Sequence, residues 1–491
     1  MKKSAVVGVV VALGAVWTGT AWYTGQKAEA FVKQSIDQAN AELQKFGEQW
    51  GVTAVVELMS FERGVFSSTE RYRVKLTEPA AEGKPAQEHA FQFVEYLDHG
   101  PFPLSKLKSG SFAPAMVASR FQLEETPTVK EWFAATKGTV PLSGAYSVSY
   151  AKNVSGNFDM APVEFAKDDT SLAFSGMKGD VTYATGSKRG TVSLLADSLV
   201  MKSPASEDND IVGMAMQGLS LTSDMTPAKN DMYVGSQKLG LKNWTITSKE
   251  KPPVQLKDTV IAVDMTEADT TMGAKMAVDF GMINIQDKDM AGLKLVVDAK
   301  SLDAKAFKAL NDVYEAASRR MLQSKVEEQA PEFTDEEKQA LKTNVELLLA
   351  GNPTLSVSPL EVRTANGTST FNLDLDLTKP ASMDGEFADT VKEVIRKLNA
   401  KLVLSKGNLG DLMAIEPQVR GVPAEQAVQT AKGQAEMVGT MATAMGLAKV
   451  ENDNIVTYLN YADGQVDFNG KKMPVEQFLM MVLSGAMGGA R

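Results

Sequence analysis

The chain has 491 residues, no cysteine, two histidines and a formal net charge of −10 from 61 acidic and 51 basic residues. The missing cysteines exclude disulfides, thiol nucleophiles, iron–sulfur clusters, cysteine-bound zinc and a lipoprotein anchor, and two histidines cannot form a three-histidine metal site. The dispersed acidic balance, with no basic run beyond groups such as Arg71/Arg73/Lys75, argues against nucleic acid, whose phosphates are bound by clustered Lys and Arg.

Residues 5–23 are uncharged and follow Lys2 and Lys3. About 20 helical residues cross roughly 30 Å of hydrocarbon. Trp17, Trp22 and Tyr23 crowd the far end, where amphipathic rings suit the interface. The two lysines should stay cytoplasmic. The expectation is a transmembrane anchor over 1–25, with the body outside the cytoplasm; in a Gram-negative cell that is a single-pass inner-membrane protein with a periplasmic body. The rival is a cleaved signal peptide, since Ala28-Glu29-Ala30 resembles a small-x-small site. It lies well beyond the apolar stretch, which favours the uncleaved anchor.

Residues 26–50 predict an amphipathic linker helix. Val32, Ile36, Ala39, Leu43, Phe46 and Trp50 form a seam opposite Lys33, Gln34, Asp37, Gln38 and Lys45. The seam suits either a short coiled coil or a helix laid on a sheet. A β-rich body is expected over 51–300. Residues 52–61 and 70–77 form a hairpin signature, with Tyr72, Val74 and Leu76 alternating with Arg71, Arg73 and Lys75. Residues 78–87 are a polar loop and 89–97 a strand, and His99-Gly100-Pro101-Phe102-Pro103 breaks the chain. Strands follow at 112–123, 146–150, 172–174, 180–183, 190–200, 214–223, 238–247, 259–265, 273–280 and 293–299, with a short helix near 129–136. This spacing is that of antiparallel sheets, one face dry and one wet.

Residues 301–491 predict a mixed helix and strand region. Helices are expected at 302–328, 335–350, 389–399, 423–446 and 475–487, with strands at 355–362, 370–377 and 458–468. Thr334 and Glu337 have capping-box spacing. The fold class is α+β: an N-terminal transmembrane helix, a large mostly antiparallel β-sheet body and packed C-terminal helices.

Phe61-Glu62-Arg63-Gly64-Val65-Phe66-Ser67-Ser68, the Tyr23-Thr24-Gly25 after the anchor, His99-Gly100-Pro101-Phe102-Pro103-Leu104 and the Tyr458, Gly464, Asn469-Gly470 ending together resemble the YdgA-like family. Val65 stands where that family usually has Trp. The resemblance covers essentially the whole chain. It implies a single-span inner-membrane envelope protein of unassigned function with a β-rich periplasmic body. A looser likeness to AsmA-like envelope proteins implies a lipid-interacting groove, by fold analogy alone.

Few motifs point to chemistry. His99 suits a structural loop better than a base or metal ligand, because no partner stands in a recognisable relation to it. His89 begins an apolar strand. Asp287, Asp289, Gly292 and Asp298 fall at calcium-loop positions, but Ala291 and the following strand pattern favour a tight turn. Met437, Met441 and Met445 suit a pliable apolar face better than a copper site. Asp374/Asp376 alternate along a strand and suit a solvated face. No phosphate loop, nucleophile elbow, dinucleotide fingerprint or His-Glu-x-x-His occurs. No catalytic, cofactor or metal residue is assigned, and no cofactor is expected. The expected function is non-catalytic: a membrane partner through residues 5–23 and a lipid or other apolar envelope ligand. The alternatives are a structural or adaptor protein, homodimeric through residues 1–50, and a carboxylate-based periplasmic hydrolase.

Overall fold

The computed structural model describes residues 21, 30, 32–34, 36–41, 43–44, 53–78, 86–205, 210–324, 332–383 and 387–488. Of the expected anchor at 5–23 only Ala21 falls among them, helical and buried; the rest of that expectation lies outside the described residues. No helix among the described residues is long and apolar enough to cross a membrane. The chain divides into two compact units. The first takes in Met1–Lys202, Leu219–Thr226 and Arg319–Glu327, and the second Ser203–Gly218, Pro227–Ser318 and Glu328–Arg491. The pattern break at Ser301 is a change of secondary structure within the second unit.

In the first unit the strands are β1 (Thr53–Arg63), β2 (Ser67–Glu78), β3 (Gln87–His99), β4 (Val117–Leu123), β5 (Leu142–Val148), β6 (Val154–Met160), β7 (Val163–Lys167), β8 (Thr170–Phe174), β9 (Met177–Ala184) and β10 (Arg189–Lys202). β1 to β6 pair in sequence, all antiparallel. β6 and β7 then behave as one interrupted strand, as do β8 and β9. β6 pairs with β9 and β7 with β8, while β9 and β8 together run along one edge of β10. The break sits at Gly176, at a φ of +87, where a Cβ would lie 2.5 Å from the Met160 carbonyl oxygen. One core cluster centres on Phe93, Leu123 and Val129, with Tyr72, Phe121 and Trp132 against it. Tyr72 stacks on Phe93 at 5.3 Å between ring centroids, an arrangement worth about 0.5–1.5 kcal/mol beyond the area buried.

The described residues of 30–44 are helical. Asn40 fixes them to β1: its Nδ2 donates to the Val56 carbonyl at 2.9 Å, and the Val56 N–H donates to its Oδ1 at 2.7 Å. The side-chain amide thus satisfies both backbone groups of one strand residue.

The second unit is built on long strands. After β11 (Ile211–Pro227), which contributes residues to both units, come β12 (Tyr233–Ser248), β13 (Val254–Ala268), β14 (Thr271–Ile285), β15 (Lys288–Asp303), β16 (Thr354–Thr364), β17 (Gly367–Leu377) and β18 (Ile395–Ser405). β12 to β18 pair each with the next, antiparallel throughout. Of β19 (Lys449–Glu451), β20 (Asn454–Ala462), β21 (Gln465–Phe468) and β22 (Lys471–Pro474), β20 pairs with β18, both β19 and β21 pair with β20, and β22 pairs with β21. Two-residue turns with positive φ close several hairpins, including Gln286-Asp287 (φ 54 and 60) and Asp463-Gly464 (φ 50 and 74). Such turns match the twist of the flanking strands.

Strand outweighs helix, 53% against 27%, so the α+β class with a large antiparallel sheet holds for the described residues. The Thr334–Glu337 capping box is formed in both directions, at 2.8 and 3.2 Å. The structure departs from the expectations at several places. The helix predicted over 389–399 ends at Val394, and Ile395 begins β18. There Leu398, Ala400, Leu402 and Leu404 alternate, and pairing to both β17 and β20 overrides helix propensity. The helix Lys406–Val419 forms although Gly407, Gly410 and Pro417 are poor helix formers; buried Asn408 and Ala414 dock it. β6 and β7 also escaped the pattern, being short and rich in exposed residues.

Candidate functional site

Alternation along β12–β20 sorts the second unit's sheet into two chemically opposite faces. On one face Leu239, Ile261, Val278, Leu295, Leu360, Phe371 and Leu402 succeed each other as direct cross-strand partners over seven strands. The next row is Val263, Met276, Val297, Val357, Leu373, Ala400 and Leu459. One residue beyond the second row, on the opposite face, runs Asp264, Lys275, Asp298, Ser356, Asp374, Asn399 and Asn460. Asp374 is exposed, as a solvated face requires. The apolar rows are not dry. None of their residues is fully buried, and Leu239 and Met276 are 37% and 40% exposed. The expectation of one dry and one wet face is therefore corrected: the apolar face is half-exposed. A contiguous apolar surface of this kind is unusual unless something covers it, because each apolar Å² left in water forgoes about 25 cal/mol.

One end of this face is closed by the helix Lys406–Val419. Asn408, fully buried, accepts from Ser369 Oγ at 2.5 Å and donates through Nδ2 to Thr364 Oγ1 at 3.1 Å. Ser369 continues the Phe371 and Leu373 side of β17, so the helix begins where the apolar row ends.

The first unit holds a different kind of site. His99 is 1% exposed. Its Nδ1 lies 3.1 Å from the Val65 carbonyl and its Nε2 2.9 Å from Ser68 Oγ. A carbonyl only accepts, so Nδ1 carries the proton and Nε2 accepts from the Ser68 hydroxyl. Burial holds the imidazole below its ordinary range. His99 therefore ties the Arg63–Ser68 turn to the His99-Gly100-Pro101 corner, the structural role expected of it. Gly100 is required there: a Cβ would lie 2.1 Å from the Ala115 carbonyl. The Gly100–Pro101 peptide is cis.

Two residues beyond Ser68 on β2 and four before His99 on β3 stand Glu70 and Glu95, directly paired and 3% and 4% exposed. Glu95 Oε1 accepts from Tyr146 Oη at 2.6 Å and from Ser119 Oγ. Glu70 Oε2 is buried without a hydrogen-bond partner. Burial, reinforced by the neighbouring Glu95, pushes the Glu70 carboxyl up to about 9. Burial likewise raises Tyr72 and Tyr146. The pair faces a cavity of about 200 Å³ whose wall includes Val32 and Ile36 from the helical residues and Leu97 and Val148 from the sheet. One water needs only ~10–15 Å³.

Sequence reasoning missed this pair. The signal was present: Glu70 continues the Tyr72, Val74 and Leu76 side of β2, and Glu95 lies between Phe93 and Leu97 on β3. An acid at an inward position on each of two adjacent strands is the pattern to seek. The other singled-out residues stay apart from it. His89 is half-buried opposite Leu76. Asp289 accepts from Asn284 and Lys257 beside the Gln286-Asp287 turn, so the calcium-loop spacing is that of a hairpin. Met437, Met441 and Met445 are each more than half exposed, while Ala427, Ala431, Ala435 and Gly439 form the buried side of their helix. Among the described residues no group of three or more His, Cys, Asp or Glu side chains could hold a metal.

The model of a family described as bacterial protein of unknown function (DUF945) matches residues 1–476. Protein YdgA of Escherichia coli K12 is 29% identical over 99% of this chain and 98% of its own length. The uncharacterized protein YihF of the same organism is 23% identical over 98% of each. An uncharacterized Haemophilus influenzae protein is 28% identical over 35% of this chain and 46% of its own. No solved structure matches.

Proposed function

The chain belongs to the DUF945 family, whose members carry no assigned activity, and we propose from its own residues that it is a non-catalytic envelope protein that holds an acyl chain or another apolar ligand. The observation that carries this reading is the half-exposed apolar face of β12–β20, two unbroken rows of aliphatic and aromatic partners with a polar row beside them on the opposite face. Burying one such side chain fully against a ligand contributes about 1.5–3 kcal/mol. Several together suffice for stable binding without any polar anchor. The uncharged stretch 5–23 behind Lys2 and Lys3 supports a membrane anchor. An anchor with cytoplasmic lysines puts the body in the periplasm, next to its ligand's source.

The test uses two substitutions one residue apart. Full-length protein, Leu373→Lys and Asp374→Lys are compared in exchange of a fluorescent acyl lipid, with mass spectrometry of what co-purifies. Leu373→Lys puts a charge into the apolar row and should lower exchange at least tenfold. Asp374→Lys changes the opposite face and should leave exchange intact. Unaltered protein that neither exchanges nor co-purifies lipid would sink the reading.

A further inference from the structure

We propose that the first unit's cavity is a binding site for the primary ammonium group of an amphipathic amine, held between Glu70 and Glu95. The site lies on other residues than the apolar face of β12–β18 and does not depend on that face binding lipid.

The argument begins with unmatched hydrogen-bonding groups. Tyr146 and Ser119 both donate to one oxygen, Glu95 Oε1. Both of these hydroxyl donors are thus spent on Glu95. Glu70, opposite it, has a buried Oε2 with no partner. Two carboxyls this close cannot both ionise without a cation, so they share one proton. Among the described residues of the wall no Lys, Arg or His supplies that cation, and Val32, Ile36, Leu97 and Val148 are apolar. The site is therefore built for a positive group on an apolar body.

A primary ammonium fits it. Its N–H donors serve Glu70 Oε2, which now lacks one, and its charge lets both carboxyls ionise. The balance is simple: the ammonium enters protonated, no covalent bond changes, and the proton shared by the two carboxyls leaves to solvent. A divalent metal would find two acidic ligands where it needs more. A fatty acid would bring a third carboxylate. About 200 Å³ accommodates the head with a short length of tail.

Release of that proton sets the pH dependence. Glu70 is held protonated up to about 9. The other titratable groups near the pair are Tyr72, Tyr146 and His99, all neutral from pH 7 to 9: burial raises both tyrosines and lowers the imidazole. Ammonium binding should thus strengthen as pH rises, by up to tenfold per unit.

Full-length protein is titrated calorimetrically with hexylammonium, hexan-1-ol and hexanoate at pH 7, 8 and 9. Hexylammonium should bind at least tenfold more tightly than the alcohol, hexanoate should not bind, and amine affinity should climb with pH. Glu70→Gln should lose at least tenfold for the amine and nothing for the alcohol; its melting temperature checks folding. Equal affinity for amine and alcohol, a flat pH profile, or an unaffected Glu70→Gln would each overturn the proposal. A lysophosphatidylethanolamine arm separates sources: Glu70-dependent binding points to a lipid head group, and its absence beside amine binding points to a free amine. Leu373→Lys should leave amine binding unchanged, which keeps this test distinct from that of the apolar sheet face.

Discussion

Glu70 and Glu95 occupy directly paired positions on β2 and β3, and both are buried. Among the described residues hydroxyl donors reach Glu95, from Tyr146 and Ser119, while Glu70 Oε2 has no partner. Glu70, desolvated by burial and facing Glu95, holds its proton up to about 9.

This has a stability consequence with a definite sign. The folded Glu70 carboxyl sits at about 9, above its unfolded value of 4.5. Its contribution is present in full below 4.5 and is lost as pH rises through 9, because the unfolded chain binds fewer protons over that window. The slope is at most about 1.4 kcal/mol per pH unit. Glu70→Gln removes it, so the variant's melting temperature should be flatter than that of the unaltered protein between pH 5 and 9. Parallel curves would show that Glu70 is not the group held protonated.

His99 acts in the opposite direction. Its folded value is lowered by burial, so its contribution is lost as pH falls below the ordinary imidazole value of ~6.5. Ser68→Ala removes the hydroxyl donor to Nε2. The buried acceptor left behind should cost about 1–3 kcal/mol in denaturant unfolding at pH 7. A loss below a few tenths would mean that the hydroxyl is dispensable.

Asn408 closes one end of the apolar face through Ser369 and Thr364. Asn408→Ala leaves both hydroxyls without their amide partner in a buried setting. Destabilisation of about 2–4 kcal/mol is expected, combining lost hydrogen bonds with a small cavity. Hydrogen exchange should show the 406–419 helix opening first. Uniform protection across the chain would contradict that order.

Membrane attachment is checked by fractionation. Removing residues 2–23 should move the protein from the membrane to the soluble fraction, and adding a periplasmic reporter after Arg491 should give signal only in the longer chain. Membrane retention without residues 2–23 would place the attachment elsewhere.

Much of this architecture is local and so was legible in the residues. Tyr72, Val74 and Leu76 alternate because a half-buried strand demands period two, and the Thr334–Glu337 capping box is written in spacing alone. The same alternation gives each strand of the second unit its apolar side. What it cannot give is which strands lie side by side. That depends on register: only the pairing of β12 through β20 turns separate apolar positions into two continuous rows. Ile395 likewise joins β18 rather than the helix before it because it pairs with Leu377 on β17, and the strand it begins lies between β17 and β20 from Lys397 on. The acid pair is the clearest case. A glutamate on one strand is a surface residue by any composition argument; two of them become a buried dyad only when register places Glu70 against Glu95 and Val32 and Ile36 lie along the same cavity. Desolvation and mutual repulsion depend on distance in space, and chain order alone does not fix that distance.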